Sequence, residues 1–117
     1  MIEVHLSYEL QENIDEQAYF QWLKAAIVPV LKSKGIIEVR ALRDAQNPQK
    51  VLVIGSWKTF EDWRSFKQSD GWTSLIGPLQ SLYALNSRLE VWGPSKLIPV
   101  PLRPPNDCGE FRAPPGN

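Results

Sequence analysis

The chain has 117 residues, with 13 basic and 13 acidic side chains, one histidine and one cysteine. The length fits one small domain, and the zero net charge offers no basic field to nucleic acid or to an anionic membrane. No apolar run reaches the ~20 residues of a membrane helix, and the N-terminus lacks the pattern of a signal peptide. A single histidine and a single cysteine argue against a dedicated zinc site. We therefore expect a cytoplasmic globular protein with no metal site and with neither nucleic acid nor membrane as a partner.

Prolines and tryptophans divide the chain into two parts. Seven of the ten prolines lie in residues 93–117, whereas all five tryptophans precede residue 93. Proline disrupts helices and central strands, so the sequence predicts a globular domain at 1–92 and an extended, proline-rich C-terminal tail at 93–117. The apolar residues between Leu97 and Leu102 predict that this tail lies along a surface groove, across a partner subunit, rather than floating free.

A strand and a helix are predicted first along the chain. Residues 2–10 alternate between apolar and polar, which is the period of a strand with one apolar face. Asn13 or Asp15 is suited to cap the following helix, whose apolar residues recur at helical spacing over 19–31. Pro29 lies inside this pattern and is expected to kink the helix or to end it early.

The second and third predicted strands form a hairpin. Residues 36–43 alternate in polarity, and residues 44–50 contain the turn signal Asn47-Pro48. The run 51–54 is apolar at every position, which is typical of a strand that is covered on both faces.

Two helical segments and a last strand complete the predicted domain. Thr59 has the position of an N-cap, and Ser69-Asp70-Gly71 is expected to end the helix that it begins. The segment 72–83 is helical in pattern but is interrupted by Gly77-Pro78, and residues 86–92 alternate as a strand. The order β-α-β-β-α-(α)-β predicts an α+β fold of the ferredoxin-like, split βαβ type with a four-stranded antiparallel sheet.

One face of such a sheet carries the helices and the other face is open. The third strand is apolar on both faces, and Leu42 and Trp92 add apolar side chains to the open one. Because an exposed sheet face is normally polar, we predict a homodimer through the open sheet face.

The residues from the third predicted strand onwards resemble a known family. The segments that carry the similarity to the antibiotic-biosynthesis-monooxygenase-like family of dimeric α+β barrel proteins are Val51–Trp57, then Phe60–Trp63 with Phe66, and then Ser69-Asp70 with Trp72. The resemblance covers roughly residues 1–92. It implies a dimeric α+β barrel in which each protomer binds an apolar or aromatic ligand between its sheet and its helices. Several members of the family oxidise quinol or polyketide substrates with dioxygen and with neither metal nor flavin.

A second branch of this family degrades haem. It uses an asparagine on the first strand, the tryptophan that closes the third strand and an iron-ligating histidine. Trp57 matches the tryptophan, but Leu6 and Ile76 stand at the other two positions and can serve neither role. The resemblance therefore implies no haem, and we expect no cofactor.

Seven residues are candidates for a site. His5 is the natural general base, and Asn86 and Arg88 are suited to bind a phenolate or another substrate oxygen. The predicted ligand-binding residues are the aromatic side chains Trp57, Phe66, Trp72 and Tyr83. The alternatives stay open, because the aromatic residues also suit a packed core, while the polar ones also suit an interface or a solvated strand face.

The resemblance and the aromatic residues together predict a function. We expect a cofactor-independent monooxygenase that acts on a small aromatic or quinol-type compound. The alternative is a non-catalytic dimeric ligand-binding or scaffold protein of the same fold. A cavity of ~300 Å³ or more between sheet and helices favours the enzyme, and a fully packed interior favours the alternative.

Overall fold

The computed structural model describes residues 1–105, and its elements follow the predicted order. They are β1 (Ile2–Leu10), α1 (Glu16–Ala26), α2 (Val28–Leu31), β2 (Ile36–Arg43), β3 (Lys50–Trp57), α3 (Phe60–Lys67), α4 (Asp70–Pro78), a π-helical turn (Leu79–Tyr83) and β4 (Ala84–Trp92). The strands form one antiparallel sheet in the order β2-β3-β1-β4. The α+β, ferredoxin-like fold is therefore confirmed, while the dimeric barrel stays a prediction because the structure is of one chain.

The strands place alternate side chains on two different faces of the sheet. On β1, the inner face, which packs against the helices, carries the buried residues Val4, Leu6, Tyr8 and Leu10. The outer face of the same strand carries Glu3, His5, Ser7 and Glu9. On β3, Val51 pairs with Tyr8 on the inner face and Ile54 pairs with His5 on the outer face. Val51 and Ile54 are both buried, as the apolar run of this strand predicts.

Asp15 and Pro29 determine where the first helices begin and end. The Asp15 carboxylate accepts hydrogen bonds from the backbone N–H groups of Gln17 and Ala18 at 3.0 and 3.1 Å, so Asp15 is the N-cap of α1. The helix ends at Ala26, and Pro29 lies in the first turn of α2, where its missing N–H would have no helical partner. This confirms that the helical pattern ends early.

The second pair of helices begins as predicted and ends differently. The Thr59 hydroxyl accepts a 3.1 Å hydrogen bond from the Asp62 backbone N–H, which confirms Thr59 as the N-cap of α3. The break after α3 is shorter than predicted, because α4 already begins at Asp70. The predicted interruption at Gly77-Pro78 is wrong: α4 includes both residues and widens into the π-helical turn, where the Ser81 hydroxyl donates to the Gly77 carbonyl at 2.9 Å.

A β-bulge determines which side chains of β4 face the helices. Ser7 pairs with Arg88 and Glu9 pairs with Leu85, so β4 has one more residue than β1 between these pairs. Asn86 lies in this bulge with a φ of 54°, a left-handed conformation that asparagine tolerates better than most residues. Beyond the bulge, Leu89 pairs with Leu6 on the inner face, while Arg88 lies on the outer face.

The tail leaves the sheet at the end of β4. Residues 93–105 form no helix and no strand, and Leu97 is 92% exposed. The remainder of the predicted tail, residues 106–117, lies outside the described residues. Among residues 1–105 there is no helix of the length and apolarity needed to cross a membrane.

Candidate functional site

An apolar cavity of about 50 Å³ lies between the inner face of the sheet and the helices. It is lined by Val4, Leu6, Tyr8, Trp22, Leu23, Ile27, Val30, Val39, Val53, Gly55, Trp57, Trp63, Phe66, Trp72, Leu75, Leu79 and Leu89. A dry cavity of roughly 150 Å³ can hold benzene. In this conformation the cavity is therefore too small for one aromatic ring, and lining side chains must move before such a ligand enters.

Four aromatic side chains form one wall of the cavity. The Trp57 and Trp63 ring centroids are 5.0 Å apart, and those of Trp63 and Trp72 are 5.4 Å apart, both edge to face. Phe66 lies within 6.5 Å of all three tryptophans. Such pairs stabilise a core by about 0.5–1.5 kcal/mol beyond their buried area. The predicted ligand-binding residues Trp57, Phe66 and Trp72 are therefore together at the cavity, where they also pack the helices onto the sheet.

The Trp57 ring lies across Gly55, its neighbour on the inner face of β3. A Cβ atom at Gly55 would lie 2.5 Å from Cζ3 of Trp57, so only glycine leaves room for the ring there. Trp57 is 3% exposed, and its Nε1 has no hydrogen-bond partner among the described residues. A buried N–H without an acceptor is unfavourable by about 1–3 kcal/mol. The indole N–H of Trp57 is consequently a buried donor whose hydrogen bond is not used among the described residues.

Tyr8 contributes the one hydroxyl among the side chains that line the cavity in residues 1–105. Its Oη lies 2.5 Å from Oη of Tyr19 on α1, and the two residues are 3% and 4% exposed. Desolvation, followed by the hydrogen bond with Tyr19, raises the pKa of Tyr8 far above that of an ordinary tyrosine, so Tyr8 stays a neutral phenol near neutral pH. We call this pair the tyrosine dyad.

Sequence reasoning missed the tyrosine dyad although a signal was present. Tyr8 occupies an apolar-register position of β1, and Tyr19 begins the apolar face of the first helix. A tyrosine hydroxyl on a buried face normally finds a hydrogen-bond partner. Two tyrosines on two facing buried surfaces therefore predict a contact between their hydroxyl groups.

Tyr83 lies beside the dyad rather than in the cavity wall. Its ring centroid is 5.4 Å from that of Tyr19 and 5.1 Å from that of Trp22, and it is not among the residues that line the cavity. A direct contact of Tyr83 with a ligand stays a prediction.

The three predicted catalytic residues do not line the cavity. His5 lies on the outer face, where its Nε2 is 3.2 Å from the Glu3 carboxylate, and Arg88 lies on the same face of β4. Asn86 is exposed in the bulge. The alternation of β1 and β4 places the sheet between the cavity and the side chains of His5 and Arg88. A catalytic role for them stays a prediction, and it would require a site on the outer face or at the bulge.

Metal-ligating side chains are dispersed over the part of the chain that the structure describes. Within residues 1–105, no three His, Cys, Asp or Glu side chains are close enough together to hold a metal ion.

Known proteins resemble the chain in sequence pattern and in fold. The sequence profile of the family described as antibiotic biosynthesis monooxygenase matches residues 1–76. No curated protein is similar enough in sequence to match. A mutant of SnoaB, a cofactor-independent oxygenase from Streptomyces nogalater, superposes with a TM-score of 0.70 at 11% identity, over 84% of this chain and 96% of that one.

Two further solved structures share the fold. A candidate antibiotic biosynthesis monooxygenase from Deinococcus radiodurans has a TM-score of 0.70 at 14% identity, over 82% of this chain and 94% of that chain. A conserved protein from Methanosarcina mazei has a TM-score of 0.68 at 18% identity, over 78% of this chain and 89% of that chain.

Proposed function

Since the chain belongs to the antibiotic biosynthesis monooxygenase family, we propose that it is a cofactor-independent oxygenase that acts on a small aromatic or quinol-type compound. The observation that carries this proposal is the cavity wall formed by Trp57, Trp63, Phe66 and Trp72. Flat aromatic faces in a dry site suit a planar, weakly polar ligand. The SnoaB neighbour, described as a cofactor-independent oxygenase, supports the same class of reaction.

The reaction requires few functional groups from the protein. An electron-rich phenolate can itself reduce dioxygen, so the site has to exclude water, hold the ring and favour the deprotonated oxygen. In this chain the aromatic wall would hold the ring. The unpaired indole N–H of Trp57 is one group that could donate a hydrogen bond to a ligand oxygen.

Oxygen uptake with a panel of hydroquinones and anthrones tests this proposal. We expect uptake that is proportional to enzyme and is strongly reduced in Trp72→Leu, which removes part of the cavity wall. Phe60→Leu is the matched control, because Phe60 is an exposed aromatic residue of α3 away from the cavity. The absence of uptake above the buffer rate with every compound would refute an oxygenase of this class.

The alternative, a non-catalytic dimeric ligand-binding or scaffold protein, is favoured by the cavity volume. The value of about 50 Å³ is well below the ~300 Å³ expected of a preformed ligand site. Quenching of tryptophan fluorescence by the same compounds discriminates the two functions. Quenching without oxygen uptake indicates a binding protein, and neither quenching nor uptake indicates a scaffold.

The outer face of the sheet supports a homodimer of this chain. Leu42, Leu85 and Trp92 lie on it and are roughly half exposed. We further propose that this face covers its counterpart in a second copy and that the tail crosses the partner, since Leu97 and Ile98 are exposed too. A chain truncated after Gly93 should then dissociate at a higher concentration in analytical ultracentrifugation. An unchanged dissociation constant would exclude a role of the tail in the dimer.

A further inference from the structure

We propose that the tyrosine dyad is the site that holds the oxygen atom of the aromatic ligand, with Tyr8 donating to that oxygen and Tyr19 donating to Tyr8. This inference rests on the proposed function, since it takes the cavity as the ligand site. It assigns the group that favours the phenolate to residues other than His5, Asn86 and Arg88, none of which lines the cavity.

Tyr8 is the one hydroxyl-bearing residue among the side chains of residues 1–105 that line the cavity. The other lining side chains in residues 1–105 are aliphatic or aromatic, with the N–H groups of tryptophans as their polar atoms. A phenolate oxygen placed elsewhere against the lining would meet mostly hydrocarbon. Burying a charged oxygen without hydrogen bonds is far more unfavourable than burying a neutral one. Once lining side chains move to admit a ring, the hydroxyl of Tyr8 is the O–H donor that this set of residues can offer to the ligand oxygen.

A count of donors shows that the dyad has a hydrogen bond left to give. Two phenol groups have two O–H donors, and their mutual contact at 2.5 Å uses one of them. No other hydrogen bond is formed by either hydroxyl within residues 1–105. When Tyr19 is the donor in the pair, the O–H of Tyr8 remains for the ligand. The two hydrogen bonds then polarise each other, which strengthens the outer one.

The surroundings make the dyad a donor rather than a base. Desolvation, and then the contact with Tyr19, hold the pKa of Tyr8 above its usual range, so its proton stays on the oxygen at neutral pH. In an apolar site such a donor interacts more strongly with an anion than it does in water. A phenol that binds as the phenolate gives its proton to solvent, and the dyad stabilises the charge that remains.

The binding of 4-nitrophenol, whose phenol and phenolate forms absorb at different wavelengths, tests the proposal. The wild-type chain, Tyr8→Phe, Tyr19→Phe and the double variant are titrated across pH, and the absorbance reports the protonation of the bound probe. Loss of a hydrogen bond to a charged oxygen is expected to weaken binding of the phenolate about 10- to 100-fold in Tyr8→Phe. The pKa of the bound probe is expected to rise by about one unit in that variant.

The other variants separate binding from folding. Ser7→Ala is the matched control, because Ser7 also loses a hydroxyl and lies next to Tyr8 on the same strand, but on the outer face. Its probe affinity and probe pKa should equal those of the wild type. The double variant keeps both rings and contains neither hydroxyl, so no buried hydroxyl is left without a partner. It should therefore fold and still fail to favour the phenolate. Circular dichroism verifies the fold of each variant.

The possible results separate a failure of the dyad assignment from a failure of the proposed oxygenase function. If the wild type consumes oxygen but Tyr8→Phe binds the phenolate as tightly and with the same probe pKa, the dyad assignment is wrong and the oxygenase proposal stands. If the wild type binds the phenolate through the dyad but no compound supports oxygen uptake, the dyad assignment stands and the oxygenase proposal falls. If the wild type does not bind the probe at all, the dyad assignment is overturned.

Discussion

Removing the hydroxyl groups of Tyr8 and Tyr19 one at a time and together should give a strongly non-additive change in stability. The two hydroxyls are each other's hydrogen-bond partner in a buried site. Tyr8→Phe leaves the Tyr19 oxygen buried without a partner, and Tyr19→Phe does the same to Tyr8. The double replacement removes the polar pair altogether and preserves both rings.

The magnitude follows from the burial of the pair. A buried hydroxyl that loses its partner lowers the free energy of unfolding by about 1–3 kcal/mol, whereas removal of both partners is nearly neutral. Each single variant should therefore be destabilised by about 2 kcal/mol, and the double variant by about 1 kcal/mol or less. For a domain of this size, a loss of about 2 kcal/mol lowers Tm by roughly 8–15 °C.

Urea unfolding followed by tryptophan fluorescence measures these differences, since all five tryptophans lie within residues 1–92. Tyr83→Phe is the control: it removes the hydroxyl of a ring that packs against Tyr19 without breaking the dyad, and it should change stability by less than about 0.5 kcal/mol. If the effects of the two single variants add to that of the double variant within about 0.5 kcal/mol, the hydroxyls are not coupled and the reasoning is refuted.

Three further predictions concern single positions. Gly55→Ala should destabilise the fold by about 1–3 kcal/mol in urea unfolding because its Cβ would meet the Trp57 ring, whereas Gly77→Ala, with open space around its Cβ, should be neutral or stabilising; equal effects would contradict the contact. Thr59→Ala should lower the free energy of unfolding by about 1 kcal/mol because it removes the N-cap of α3, and Thr59→Ser should retain most of that stability. Hydrogen bonds from the backbone N–H groups of Gln46 and then Asn47 lower the pKa of Asp44. These bonds therefore hold the turn fully at pH values above the ordinary aspartate pKa, and the turn loosens as the pH falls through the lowered pKa. Amide NMR shifts followed against pH would show this, and a midpoint at the ordinary aspartate pKa would disprove it.

The fold could be predicted because its signals are local. The alternation of β1, the Asp15 and Thr59 caps and the position of Pro29 each act within a few residues, and the structure retains them. The prediction of an interruption at Gly77-Pro78 was wrong for a physical reason. Pro78 is the last residue of α4, and no local pattern of residues indicates the π-helical turn that follows it.

The site was predictable only in part, because it depends on which side chains meet across the fold. Aromatic residues that follow the third strand indicated the wall of the cavity, and Trp57, Phe66 and Trp72 line it. The pKa class of His5 suits a general base, while its place on the polar face of the first strand also suits an interface. The period of β1 places His5 on the face opposite to Leu6 and Tyr8, and that geometry decides which groups can reach the cavity.

The bulge of β4 has a consequence for how this chain tolerates insertions and deletions. Loss of the single extra residue would leave Glu9 opposite Leu85 and Leu10 opposite Ala84, because one residue of β4 would then face Tyr8. A deletion of one codon at the bulge would thus keep Ala84 in the interior and Leu85 on the outer face, and it would make the ladder regular there. Relatives that lack the extra residue should therefore keep a small residue at the position of Ala84 and an apolar one at the position of Leu85, so a comparison of lengths across the family becomes a test of register.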